Sequence, residues 1–227
     1  MPNIGIAELD VMRRDGRSVI ARQFGRAPLQ VHRPLYLEGA SHPTVYLRSP
    51  SSGLLDGDQH RIAIVVGDGA ALELRTQAAC VVYPGVAEHT LKVEVGNHAR
   101  FCFRPHPFIL HKGAHLRQVV RIQLRESSQL IFSDSWCAGR LAMQEAWAFL
   151  EFDNTVEIFV EGKLVYRDRY RIQPSKNELT HPFICSEYKV FETLHEFGCL
   201  GARLDRAETQ WQSQRGRCTI TRGMRKS

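Results

Sequence analysis

From about residue 60 to residue 172, apolar side chains recur at every second position between short runs of turn-forming residues. Successive side chains of an extended strand point to opposite faces, so this pattern belongs to half-buried β-strands; helical periodicity is nearly absent here. In DQHRIAIVV, Ile62, Ile64 and Val66 share one face. Gly67-Asp68-Gly69 turns the chain, and ALELRTQ returns with Leu72 and Leu74 inward and Glu73 and Arg75 outward. Leu91, Val93 and Val95, a turn at Gly96-Asn97, then Phe101 and Phe103 repeat the arrangement. Val120, Ile122 and Leu124, a break at Glu126-Ser127-Ser128, then Leu130, Phe132 and Trp136 give a third example. Each unit reads as a β-hairpin.

MQEAWAFLEF holds both helix and strand formers. It is assigned to a strand, because Asp153-Asn154 and Glu161-Gly162-Lys163 punctuate the strand-like TVEIFV and LVYRDRYRI that follow. The fold expected is mainly β, with multi-stranded antiparallel sheets in a β-sandwich or solenoid-like arrangement and one or two short helices near the C-terminus. A helix is placed at 186–198, where Ser186 can cap it, Phe191, Leu194 and Phe197 recur at helical intervals, and Gly198 suits the C-terminal cap. Pro34, Pro43 and Pro50, with Ser49, Ser51, Ser52 and Gly53, mark an internal loop. No repeat is regular enough to define a solenoid by sequence. The expected organisation is one β domain over residues 1–200 and a basic, poorly ordered tail over 201–227.

The N-terminus lacks an apolar leader segment, and no stretch approaches the roughly 18 apolar residues of a membrane span. Six cysteines are scattered without a C-x-x-C pair, which points to reduced thiols and a cytoplasmic location. The net charge of +6 fits an acidic partner, but no RNP-type motif or zinc finger accompanies it, so no nucleic-acid role is expected.

Phosphate loops, dinucleotide fingerprints, nucleophile elbows and H-E-x-x-H are missing. Two segments carry metal-capable side chains. In HPFILHKGAH, His106, His111 and His115 fall close together, with a spacing that matches no standard structural zinc site. In GLLDGDQHR, Asp56, Asp58 and His60 alternate; an extended segment would project all three from one face, whereas the Gly/Asp content favours a turn into the next strand. Asp134, Glu145, Glu151 and Asp153 stand among apolar neighbours, and acids in such a pattern ordinarily face water.

Taken in order, several blocks resemble the UreD/UreH family of urease accessory proteins. They are GRSVIARQFGRAPLQVHRPLY, SSGLLDGDQHRIAIVVGDGAALELRTQAACVVYPG, PHPFILHKGAHLRQVVRIQL and FSDSWCAGR, spanning roughly residues 5 to 195. Gly53, Gly57, Thr76, Gln77, Tyr83, Gly139 and Arg140 fall on the family's motif positions, while Ser52 replaces a glycine and His111-Lys112 replace Pro-Phe. The resemblance implies a non-enzymatic scaffold for urease maturation that binds the urease apoprotein and UreF, with UreG joining through UreF. It further implies that nickel passes in transit through an internal polar channel, with no cofactor tightly held. Asp56, Asp58, His60 and Asp134 become the candidate metal path on that picture. Two other readings fit the residues: a stand-alone β-sandwich binding module, and a hydrolase using a metal held by His106, His111 and His115 with Asp58.

Overall fold

The apolar faces marked by the alternation do meet one another, but across two stacked sheets and not within hairpins. The protein is described here from a computed structural model covering residues 3–37, 41–51, 53–176, 179, 185, 188–198, 212–215 and 218–225. The first sheet runs β15 (Lys163–Ile172), β14 (Glu151–Val160), β12 (Ala114–Leu124), β9 (Gly85–Val95), β6 (Gln59–Val66), β1 (Ile4–Arg14) and β2 (Arg17–Arg26). The second runs β17 (Gln212–Arg215), β18 (Cys218–Arg225), β16 (Val190–Phe197), β13 (Gln129–Cys137), β10 (Arg100–Phe103), β7 (Ala71–Thr76), β4 (Thr44–Arg48) and β3 (Gln30–Val31). Three short strands, β11 (Phe108–Leu110), β8 (Cys80–Val82) and β5 (Gly53–Leu54), continue it beside the end of β13.

Mainly β is therefore right, whereas uniformly antiparallel pairing is not. The turn at 67–69 carries the chain from β6 in one sheet to β7 in the other, and the turns after β9 and β12 do the same. Strands β6, β9, β12 and β14 pair side by side in parallel, as do β4, β7, β10 and β13. Each coil contributes one strand to each sheet. In the first coils the paired position lies 29 residues further on: His60 pairs with His89, and His89 with Gln118. Parallel neighbours need a long crossover, and here the intervening strand of the other sheet supplies it. Alternation fixes which face of a strand is buried but not which strand lies beside it, so the same residues fit a hairpin or a coil. The structure thus has a solenoid repeat that residue identities do not reveal.

Antiparallel hairpins close the first sheet at both ends, β1 with β2 and β14 with β15. Glu161 and Gly162, both at positive φ, make the second of these turns, as expected; Asp153 and Asn154 instead lie within β14.

The short C-terminal helix is not found. Residues 190–197 form β16, which pairs antiparallel with β13 and buries Leu194 and His195. Its apolar residues sit against a sheet, and packing overrides the helical spacing. Gly198 does adopt a positive φ of 68°, but it ends a strand; Ser186 lies outside the described residues. Residues Leu141–Met143 form a single 3-10 turn, and no α-helix occurs among the described residues. MQEAWAFLEF is likewise not one strand: Gln144 and Trp147 take left-handed φ values of 55° and 60°, and the strand starts only at Glu151. The proline-rich loop contains β4. Within the region read as a basic tail, β17 and β18 extend the second sheet beyond β16.

Candidate functional site

On the four central strands of the first sheet, every inward position is apolar except one. Those exceptions are His60 on β6, His89 on β9, Gln118 on β12 and Asn154 on β14. Parallel register places them side by side: His60 opposite His89, His89 opposite Gln118, and Gln118 opposite Asn154, with Tyr170 of β15 next across the hairpin. The row divides two apolar cores. One is a mainly aliphatic layer containing Ile62, Leu91, Val120 and Val156, with Phe101, Phe103 and Phe132; the other is an aromatic-rich layer containing Phe108, Leu116, Trp136 and Phe152.

Asp134 faces the row from β13, between Phe132 of the first layer and Trp136 of the second. Gln118 Nε2 donates to Asp134 Oδ1 at 2.8 Å, and Asn154 Nδ2 donates to Oδ2 at 2.7 Å. Burial pushes the Asp134 carboxyl up to about 6 against those two hydrogen bonds. Burial likewise pushes His60 down to about 4 and His89 down to about 3, the nearby His60 adding to the effect on His89, so both imidazoles are neutral near pH 7. Their rings meet edge to face at 6.0 Å. His89 lines a cavity and keeps some exposed surface, yet its Nδ1 is enclosed. Among the described residues, His60 Nε2, His89 Nδ1, Gln118 Oε1 and Asn154 Oδ1 have no hydrogen-bond partner. Buried polar groups are nearly always paired, so four unpaired atoms in one row set it apart from the apolar layers on either side.

A cavity of about 160 Å³ between the sheets reaches His60, His89, Gln118 and Asp134 and is lined at its other end by the exposed Gln77 and His106. Thr76 organises that end: its Oγ1 accepts the His106 backbone N–H at 2.8 Å and lies 2.9 Å from His106 Nδ1. The TQAA segment thus borders the opening.

The sequence-based site residues are only partly brought together. His60 and Asp134 share the cavity. Asp58 is buried, and its Oδ2 accepts the Leu55 N–H at 2.9 Å, closing the turn favoured by composition. Asp56 is exposed on that turn and accepts the Val86 N–H at 2.8 Å, so Asp56, Asp58 and His60 do not share a face. The three-histidine cluster does not assemble: His106 binds Thr76, His111 packs on Tyr83, and His115 approaches Glu151 at 3.5 Å. No group of three or more His, Cys, Asp or Glu able to hold a metal occurs among the described residues. The glycine and arginine motif residues shape the chain, Gly53 at the cavity wall and the others away from it. At Gly53 and Gly139, with φ of 149° and 146°, a Cβ would come within 2.0 Å of the Val81 and Glu145 carbonyl oxygens. Arg140 pairs with Glu145. Gly57 sits in the turn before β6, at positive φ.

Water-facing is wrong for Asp134, and Glu151 too is buried, under Arg171, whose hydrogen bonds hold its carboxyl below the usual carboxylate range. His89, Gln118 and Asn154 are functional candidates that sequence reasoning passed over. A signal for them exists: one polar residue at an inward position of each alternating strand, spaced 29 residues apart for His60, His89 and Gln118.

Fold and site define a two-sheet β protein coiled around an enclosed polar row. A family model described as UreD urease accessory protein matches residues 4–225, and the chain belongs to that family. It is 38% identical over 148 residues to urease accessory protein UreD 2 of Synechococcus sp. JA-3-3Ab, covering 65% of this chain and 54% of that protein. It is 40% identical over 159 residues to UreD of Synechococcus sp. JA-2-3B'a(2-13), covering 70% and 57%. Similarity to the UreH protein of Helicobacter acinonychis is 27% over 188 residues, covering 82% and 71%. The chain thus spans little more than half the length of the Synechococcus relatives. No helix among the described residues is long and apolar enough to cross a membrane.

Proposed function

We propose that this chain is a non-enzymatic urease maturation factor that links the urease apoprotein to UreF, and through UreF to UreG, while nickel crosses its interior toward urease. The observation that carries the reading is the row of unpaired buried polar atoms from His60 to Asn154, reached at His60, His89 and Gln118 by a cavity that extends to Gln77 and His106. Imidazole nitrogen suits a borderline dication, and amide oxygen, a harder donor, is a weaker ligand for it. A succession of neutral ligands, too few at any point to make a closed site, holds an ion loosely enough to let it leave. Nickel is cargo on this reading. The work is cytoplasmic and needs no bound cofactor. A hydrolase built on His106, His111 and His115 loses its basis, since the three engage different partners.

Co-expression with apo-urease and UreF of the same organism, followed by affinity capture and size exclusion, tests the bridging role. Co-elution of all three is expected. Failure to capture either partner, repeated with a chain of the relatives' full length, would refute it.

A further inference from the structure

The face of the first sheet turned away from the second carries its own cluster of charge. Parallel register sets Arg117, Val119 and Arg121 of β12 opposite Asp153, Thr155 and Glu157 of β14, and the closing hairpin sets Arg169 beside Thr155 and Arg167 beside Glu157. Glu157 is buried; its Oε2 accepts from Arg121 Nε and its Oε1 from Arg167 Nε, both at 2.9 Å. That carboxylate fixes two guanidiniums, each with more N–H donors than a shared carboxylate can occupy. Arg171 is engaged by Glu151. Arg117 and Arg169 are exposed and pair with no carboxylate among the described residues, and the Thr155 hydroxyl between them has no hydrogen bond there. These side chains line a groove of about 280 Å³.

We propose that this groove is a binding site for hydrogen phosphate, on the outside of the molecule and independent of its interior. Arg117, Arg121, Arg167 and Arg169 set against Asp153 and Glu157 leave the groove a charge of +2, which a dianion cancels. Arg117 and Arg169 stand two strands apart, about 10 Å, a span that two long side chains close around one small tetrahedral anion with the Thr155 hydroxyl beneath it. Guanidinium forks match phosphate oxygens in pairs. Asp153 decides which oxyanion fits. It stands on the groove wall with its Oδ1 unpaired, and a carboxylate can only accept. Hydrogen phosphate brings an O–H to donate to that carboxylate, whereas sulfate brings none and meets its charge. A phosphate monoester, with a second pKa near 6, has also shed that proton at neutral pH. The ligand is therefore the free ion and not a phosphorylated chain or a nucleotide.

The test is titration of the ¹⁵N-labelled full chain with sodium phosphate, near neutral pH, in an otherwise phosphate-free buffer of constant ionic strength. Saturable shifts of the Arg117 and Arg169 Nε–H signals are expected. Sulfate and phenyl phosphate should each bind at least about tenfold more weakly, since a site that accepts a ligand O–H rejects the analogue lacking it. Exchanging both exposed arginines, Arg117→Gln with Arg169→Gln, should abolish saturation and leave the fold undisturbed. Asp153→Asn should erase the preference for phosphate over sulfate, because the new amide can donate to sulfate. Equal affinity for phosphate and sulfate in the unmodified chain would overturn the proposal. Shifts that never saturate would do the same, as the mark of counterions spread over the whole basic surface. Phenyl phosphate binding more tightly than free phosphate would overturn it in favour of a phosphorylated partner.

Discussion

The aliphatic layer and the polar row share one backbone. In both, parallel strands are stacked in unbroken register, and β12 passes from Gln118 to Val120 and Ile122 with no change in its pairing. They differ only in the inward side chain. The layer gains from every contact, because aliphatic groups close-pack and leave water. The row forgoes this at one level of each strand, burying polar atoms that Asp134 satisfies only in part. One coil architecture therefore carries two kinds of interior, close-packed apolar in the layer and incompletely satisfied polar in the row, separated by a two-residue step along each strand.

The contrast can be broken hardest from the layer. Ile122→Asn puts an unpaired amide among packed aliphatics and should cost about 4 kcal/mol, against little for an outward change such as Gln123→Asn, measured as a shift of the urea midpoint. Acid comes next. His60 and His89 are depressed to about 4 and about 3 from 6.5, so below pH 6.5 the unfolded chain takes up two protons that the folded chain refuses, and stability falls. Asp134, raised from 3.8 to about 6, works the other way and returns some stability as pH drops from 6 toward 4. The net expectation is a loss of about 2–3 kcal/mol between pH 7.5 and pH 5, seen by denaturation at the two pH values. Asp134→Ala removes the acceptor of two buried amides and should cost about 2 kcal/mol by the same assay. The smallest effect sharpens the comparison most. His60→Leu removes a buried unpaired nitrogen and should be neutral or stabilising by up to about 1 kcal/mol, while removing roughly three quarters of the net acid sensitivity. A large loss in His60→Leu would mean that the row is a structural element after all.

The buried faces were legible because alternation is a local signal: Ile62, Leu72, Phe101 and Ile122 all point inward as expected. The partner of each strand was not, because it lies 29 residues away and the turns between 67–69 and between 96–97 fit a hairpin equally well. The helix expected at 186–198 failed for a related reason, since Phe191, Leu194 and Phe197 answer to a neighbouring strand. Within the site, His60 and Asp134 could be named from residue type, but their proximity could not. Gln118 and Asn154 were invisible as single residues. They become conspicuous only when the inward positions of successive coils are set side by side, which needs the register that the turns conceal.

The hairpins at the two ends of the first sheet bear on colloidal behaviour. A stack of parallel coils is an open template on which another molecule could continue the ladder, and such edges invite fibres. Here β2 and β15 reverse direction, and their exposed positions carry Arg17, Arg22 and Arg26 at one end and Lys163, Arg167, Arg169 and Arg171 at the other. Arg22, Arg167 and Arg171 are paired with Glu8, Glu157 and Glu151, and the remaining basic residues leave each edge positive toward a second copy, on a molecule already at +6. Salt shortens the reach of that repulsion to about 8 Å at physiological ionic strength. The chain accordingly stays dispersed most readily in dilute buffer, and self-association is favoured as salt is added.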